Sequence, residues 1–307
     1  MKLSQLANLA ALIVMPLVLI GIVTRVKSLW SGRKGPPILQ PAYDVFRLLR
    51  KGAVYSDTTS FIFRFAPYVL LVTSTLGAFI TPLLGGTPIA SFPFDYVWFA
   101  YSWALGRVCL MLAAMDTGSS FEGMGVAREA TFSTLLEPAL FLAFGTLSLL
   151  SHSQTVHQAL SLRLSDGPGL VAWAAAVVAL TIALQVETGR MPVDDPTTHL
   201  ELTMVHEVMV LDHSGPDLAA IQLGSAVKFF VGTSMVATLL NPWRGLDSAP
   251  AMLANLVLAV ALSIVLGTIE SLIARLKLRT VPHYIAVATI AGVVALLAVG
   301  WRAGGVE

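Results

Sequence analysis

Apolar residues gather along this chain in eight long blocks, near 3–24, 62–84, 92–114, 131–150, 168–187, 218–240, 250–274 and 281–301. A hydrocarbon layer of about 30 Å takes roughly 20 helical residues to cross, so each block predicts one spanning helix. The expected fold class is all-α: a polytopic membrane protein with about eight transmembrane helices in a single domain over 1–307. The first block follows Lys2 as a signal peptide would, but it is long and no small-residue cleavage site follows it, so it is expected to stay as a helix. Residues 31–52 break the pattern. Gly35, Pro36, Pro37 and Pro41 predict a stiff turn, after which Val45, Phe46, Leu48 and Leu49 alternate with Asp44, Arg47, Arg50 and Lys51. This predicts a short amphipathic helix in the headgroup plane; a plain basic loop would explain the charges but not the interleaved apolar residues.

Composition sharpens the class. Hydrophobic residues make up 56% and charged residues 12%, the balance of an integral membrane protein. The single cysteine, Cys109, excludes a disulfide framework and a cysteine ligand set for an iron–sulfur cluster. A net charge of +1 without a basic, aromatic-interleaved cluster gives no sign of nucleic-acid binding. The connections after blocks one, three, five and seven hold twelve basic residues (Arg25, Lys27, Arg33, Lys34, Arg47, Arg50, Lys51, Arg128, Arg190, Arg275, Lys277, Arg279), against Lys2, Arg163, Arg244 and Arg302 on the other side. That asymmetry predicts odd connections in the cytoplasm and both termini outside.

Ionisable residues inside or beside the blocks are the candidate chemistry. Arg107 lies within the third block, nine residues from Asp116, so its counter-ion is expected from another helix. Between blocks three and four, Gly118, Gly123 and Gly125 predict a tight loop, with Arg128 and Glu129 at the membrane edge. Glu137 falls about two turns inside the fourth block, and Pro138 is expected to open the helix there. A carboxylate at that depth is a relay candidate or a structural hydrogen-bonding group. Lys228 in block six would seek a carboxylate, with Glu137, Glu187 and Glu201 available. Glu270 near the end of block seven suits a simple salt bridge as well as function. The loop 151–167, with His152 and His157, looks solvated and featureless.

The densest stretch is ETGRMPVDDPTTHLELTMVHEVMVLDHSG, Glu187 to Gly215, which holds six acids (Glu187, Asp194, Asp195, Glu201, Glu207, Asp212) with Arg190, His199, His206 and His213. Pro192 and Pro196 constrain its start, and the remainder is expected to be helical and partly buried. The histidines recur every seven residues, which would align them on one stripe if that helix continues. Seven-residue gaps are too wide for one metal ion, and no HExxH pair is present; a wetted, protonatable stripe is expected instead.

Three segments resemble one family. GPPILQPAYDVFRLLRK, GVAREATFSTLLEP with Arg128 nine residues before Glu137, and ETGRMPVDDPTTHLEL with the later DHSG are similar to motifs of the complex I subunit 1 / formate hydrogenlyase subunit 4 family. This is the membrane-anchor subunit shared by respiratory complex I and the group 4 membrane-bound NiFe-hydrogenases. The resemblance covers nearly the whole chain. Gly189 replaces the asparagine of the complex I wording, Thr197 and His199 replace two acids, Glu201 keeps its acid, and Asp212 stands for the glutamate of EYSG. These departures lie closer to the hydrogenase branch.

The resemblance implies a subunit without a redox centre of its own in the prokaryotic cytoplasmic membrane. The NiFe centre and 4Fe–4S clusters would belong to partners: hydrogenase-like large and small subunits and a ferredoxin-like iron–sulfur subunit, beside antiporter-like membrane subunits. Its task would be to couple electron transfer to proton translocation. Glu137, Glu187, Glu201, Glu207, Asp212 and Lys228 would form the relay, extended by Asp116, Glu129, His199, His206 and Glu270. Arg128, Arg190, Asp194, Asp195, Gly35, Pro36, Pro37, Gln40 and Asp44 would shape the docking loops. Two other readings stand beside it: a quinone-site subunit of a complex I-like dehydrogenase, and a free-standing secondary ion transporter using the same acids.

Overall fold

The computed structural model describes residues 3–162, 167–194, 204–273 and 276–304, all helix, turn or coil. Eight helices among these residues are long and apolar enough to cross a membrane: α1 (Leu3–Trp30), α3 (Phe61–Ile80), α4 (Asp95–Asp116), α5 (Ser120–Ser151), α7 (Gly167–Glu187), α8 (Gly215–Leu240), α9 (Ala249–Leu272) and α10 (Val281–Gly304). Two short helices complete the set, α2 (Gln40–Leu49) and α6 (Val156–Leu160). The short helix expected within 31–52 is α2, with Val45 buried and Phe46 and Leu49 exposed.

The architecture is a bundle around α8. Its apolar stretch is 83% buried, against 56% or less for every other spanning helix. Helices α1, α2, α3, α7 and α9 pack on it, α4 lies against α3, and α10 fits between α5 and α7. With no hydrophobic drive between helices in lipid, close approach depends on small residues. A Cβ on Gly232 of α8 would come 2.5 Å from Leu184 of α7, and one on Gly292 of α10 would come 2.7 Å from Leu142 of α5.

Three expectations change. Helix α5 begins at Ser120 rather than near 131, so Gly123, Gly125, Arg128 and Glu129 are helical instead of lying in a loop. The protein supplies partners that let polar residues extend the helix: the Thr117 hydroxyl bonds Glu122, and Arg128 Nη1 donates to the Met204 carbonyl at 2.7 Å. Helix α5 also runs through Pro138 without a break, because one missing backbone donor does not outweigh the surrounding packing. Finally, the described part of the stretch after α7 is not a long helix. It consists of turns and one 3-10 helix, Glu207–Val210, so His206 and His213 share no helical stripe.

Nor is the connection between α5 and α7 featureless. In α6, Val156 and Leu160 are fully buried, and the buried Asp95 carboxylate accepts from the Val156 N–H at 2.7 Å.

Candidate functional site

Helix α7 is apolar apart from Thr181 and Gln185, and this carries its last residue, Glu187, into the interior with its side chain 3% exposed. Two cations meet it there. Arg107 Nη1 of α4 lies 2.6 Å from Oε1, and Lys228 Nζ of α8 lies 3.3 Å from Oε2. Arg107 also reaches α5, with Nη2 3.3 Å from Glu137 Oε1. Arg107 therefore finds its counter-ions on other helices, as its spacing from Asp116 predicts. Lys228 finds Glu187 among its three candidates, and its ammonium stands 5.2 Å from the centre of the Trp103 ring. Each charge in such a cluster is tolerable only while the others are present.

A second group lies alongside. His206 Nε2 is 3.4 Å from Glu129 Oε2 of α5, and Nδ1 is 3.8 Å from Asp194 Oδ2. Asp194 also accepts from the backbone N–H groups of Val205 and His206, at 3.0 Å each, and so ties the two ends of the segment together. Burial opposes charge on His206, but Glu129 and then Asp194 outweigh it and push the imidazole up to about 9. It is therefore an imidazolium at neutral pH.

The third group is Glu270 of α9, its side chain 1% exposed, with Lys27 of α1 and Arg190 each 3.1 Å away. The Arg190 guanidinium also stacks 4.5 Å from the Phe229 ring centre. The simple salt bridge that was one of two expectations for Glu270 is a buried three-charge clamp that holds the start of the segment to α1 and α9.

The groups share one space. A cavity of about 750 Å³ is lined by Leu17, Ile20 and Lys27 of α1, by Val45 of α2 and by Ile221 and Phe229 of α8. Its other wall carries Glu187, Arg190, Asp194, His206 and Glu207. On the far side of Glu187, a small cleft between α4 and α5 contains Arg107 and Glu137. There the Glu137 side chain is 47% exposed, although it sits near the middle of a spanning helix. Glu187 thus borders the cavity on one side and the Arg107–Glu137 pair on the other.

The remaining expected residues fall elsewhere. Asp116 accepts from the N–H of Ser60, the N-cap residue of α3, at 2.6 Å, and Asp212 is exposed beyond the 3-10 helix. Gly35 takes φ +60°, which lets the turn approach Ser28, while the Arg25 guanidinium holds the carbonyls of Lys34, Gly35 and Pro36. Asp44 accepts from Gln40 and Arg47, at 3.1 and 3.0 Å, within α2. Asp195, His199 and Glu201 lie outside the described residues. No cluster of metal-ligand type occurs among the described residues.

Among the other buried polar residues, Asp217 was not singled out from sequence, and His213, expected on a wetted stripe, is sealed instead. Asp217 of α8, 1% exposed, accepts from the Tyr68 hydroxyl at 3.0 Å. His213, 3% exposed, stacks on Phe63 at 4.0 Å and 8°. Burial lowers its imidazole to about 4 against the pull of Asp217 and Asp212, so it is neutral. Asp217, Glu122 and Asp95 all sit in the first turn of a long helix, and that placement is the signal that could have found them.

Residues 3–301 match the family described as NADH dehydrogenase. The chain belongs to the NADH dehydrogenase family. Within that breadth it is 28% identical to formate hydrogenlyase subunit 4 of Escherichia coli over 277 residues, covering 86% of this chain and 87% of that protein. It is also 28% identical to hydrogenase-4 component C of the same organism over 288 residues, covering 91% and 89%. An NADH-quinone oxidoreductase subunit of Phocaeicola vulgatus is 23% identical over 237 residues, covering 72% and 64%. In fold, the chain is similar to one in the structure of the membrane-bound sulfane sulfur reductase, an archaeal respiratory membrane complex. The TM-score is 0.80 at 19% identity, with 96% and 98% of the two chains covered. The family resemblance carried by the three motifs, including its hydrogenase branch, agrees with these relatives.

Proposed function

We propose that this chain is the membrane-anchor and energy-coupling subunit of a membrane-bound NiFe-hydrogenase or formate hydrogenlyase-like complex. The observation that carries the reading is the run of charged side chains from the cavity wall, through Glu187 and Arg107, to the half-exposed Glu137. Buried charges at membrane depth are costly and mark ion or proton paths. The relatives named for formate hydrogenlyase and hydrogenase-4 supply the setting.

In this reading the chain lies in the prokaryotic cytoplasmic membrane with both termini outside. It docks hydrogenase-like and ferredoxin-like iron–sulfur subunits on its basic connections and sits beside antiporter-like membrane subunits. Redox events in the docked arm alter charge at the cavity wall. Glu187 answers by changing its share of Arg107 and Lys228, which frees Arg107 to strengthen or release Glu137. A proton held at Glu137 then moves toward the neighbouring membrane subunit. A change of one pKa unit corresponds to about 1.4 kcal/mol, so a small displacement of a buried partner suffices.

The cavity favours a second reading, a quinone site, since its volume and mixed apolar and charged walls suit an amphipathic headgroup with a tail. Arg190 and His206 would hold the headgroup, and its reduction would supply the change in charge.

The deciding experiment measures protons moved per turnover in inside-out vesicles containing the whole complex. Glu187→Gln and Glu137→Gln should each lower that ratio while the complex still assembles; wild-type ratios in both would remove the coupling reading. A competitive quinone analogue that inhibits turnover would favour the second reading.

A further inference from the structure

His206 and Gly189 are fitted to each other. Gly189 stands at φ +56°, a conformation that side chains rarely adopt, and a Cβ there would come 2.7 Å from His206 Nδ1. The imidazole occupies the space a side chain at 189 would need. We propose that His206 is the residue through which protons pass between the cavity and the buried carboxylates, seated for that task by Gly189. This rests on the coupling reading above and assigns its point of entry.

The placement of the ring supports this. It lies on the cavity wall with its side chain 30% exposed, whereas the Glu129 and Asp194 side chains are 7% and 2% exposed. His206 is thus the wetted member of a group whose acids are sealed. Its two nitrogens face different partners. Nδ1 is buried toward Asp194 at 3.8 Å and lacks a hydrogen bond among the described residues, while Nε2 faces Glu129 at 3.4 Å. The charged groups around it come from every neighbouring element: Glu129 of α5, Asp194 of its own segment, Glu187 of α7 and Lys228 of α8, with Glu207 on the same cavity wall.

The backbone holding the ring is firmly placed. Asp194 accepts from the His206 N–H, and Arg128 grips the Met204 carbonyl. Val205 and Val208 are fully buried, and a Cβ on Gly125 of α5 would come 2.4 Å from Val208 Cγ1. A fixed backbone under a partly wetted ring lets the ring exchange protons without moving the segment.

The proton balance is simple. The imidazolium gives its Nε2 proton to the Glu129 carboxylate, keeps the Nδ1 proton directed at Asp194, and recovers an Nε2 proton from hydrated protons in the cavity. The net change is one proton taken from the cavity onto Glu129, which alters the field at Glu187 and Lys228.

The test uses the whole complex in inside-out vesicles and follows protons moved per turnover across pH for His206→Gln, His206→Lys and Gly189→Ala, with Glu187→Gln as the reference. His206→Lys keeps a positive charge but binds its proton too tightly to exchange. Both His206 variants should lower the ratio at least as far as Glu187→Gln does. Gly189→Ala should shift the pH of the half-maximal ratio. Restoration by lysine would show that only the fixed charge matters and would overturn the proposal. A wild-type ratio in His206→Gln with a lowered ratio in Glu187→Gln would overturn it while leaving the coupling reading intact. Wild-type ratios throughout would remove both. Should the lysine variant fail to assemble, His206→Gln and the Gly189→Ala pH profile decide.

Discussion

The Lys228 ammonium lies 3.3 Å from a carboxylate oxygen of Glu187, a residue 41 positions earlier in the chain whose other oxygen is held by Arg107. One acid thus serves two cations on two helices. Removing the acid strands Lys228 in the apolar interior and leaves Arg107 with Glu137 alone, whereas removing one cation leaves the other pair in place. Glu187→Ala should therefore lower stability by about 3–5 kcal/mol, the cost of breaking a buried pair. Lys228→Met should cost less, and the double variant less than the sum of the two. Thermal unfolding of the purified protein in mild detergent, arranged as a double-mutant cycle, measures the coupling; additive effects would show that the two residues act independently.

His206 makes the anchoring of its segment depend on alkalinity. Its raised value means the ion pairs with Glu129 and Asp194 contribute fully below about 6.5, the ordinary histidine value, and fade as pH rises through about 9. Amide exchange of residues 204–210 should accelerate beyond its intrinsic pH dependence over that interval in the wild type. The excess should vanish in His206→Gln.

His213 works in the opposite direction. Kept neutral by burial against Phe63, it resists protonation until about 4, while the unfolded chain takes up the proton near 6.5. The protein should therefore lose stability as pH falls from about 6.5 to about 4. His213→Phe, which keeps the ring stack, should flatten that part of the curve of thermal midpoint against pH.

The Glu270 clamp should respond unequally to loss of its partners. Lys27 is 22% exposed, and Lys27→Gln should cost under about 1 kcal/mol, as partly solvated pairs do. Glu270→Gln leaves Arg190 facing a neutral amide in the interior and should cost about 3 kcal/mol or more. Limited proteolysis within 188–214 should accelerate in the second variant and stay near the wild-type rate in the first.

Gly21 of α1 would place a Cβ 1.7 Å from the Ile38 carbonyl, so Gly21→Ala must push the turn before α2 away from α1. Overpacking of this kind costs about 1–3 kcal/mol. Because α1 and α2 both line the cavity, the variant should also change the accessibility of a cysteine introduced at Val45, read by thiol labelling in membranes.

The eight spanning helices were legible because twenty consecutive apolar residues in water have no competing explanation. The start of α5 was not. Glu122, Arg128 and Glu129 look like loop residues until Thr117, Met204 and His206 are seen to satisfy them. Arg107 within an apolar helix disclosed that a partner must exist, but which acid lay opposite was a matter of packing between helices distant in sequence. The Glu187–Gly215 stretch announced its chemistry through composition. The conformation of its described part was hidden, since Met and Val among acids suit a helix and buried turns alike. The pairing of Glu270 with Lys27 and Arg190 joins α9, α1 and the turn after α7 and leaves no trace in local spacing.

The burial of α8 bears on how the protein comes into being. Five of the eight spanning segments leave the ribosome before α8, yet α3, α7 and α1 find their shared neighbour only when it arrives. Until then Arg107 and Glu187 have each other but not Lys228, and the grooves awaiting Gly224 and Gly232 stand open to lipid. Insertion of α8 thus sets a keystone among helices already made, with α9 and α10 still to follow, and a ribosome stalled before residue 240 would leave an arch of helices without its centre.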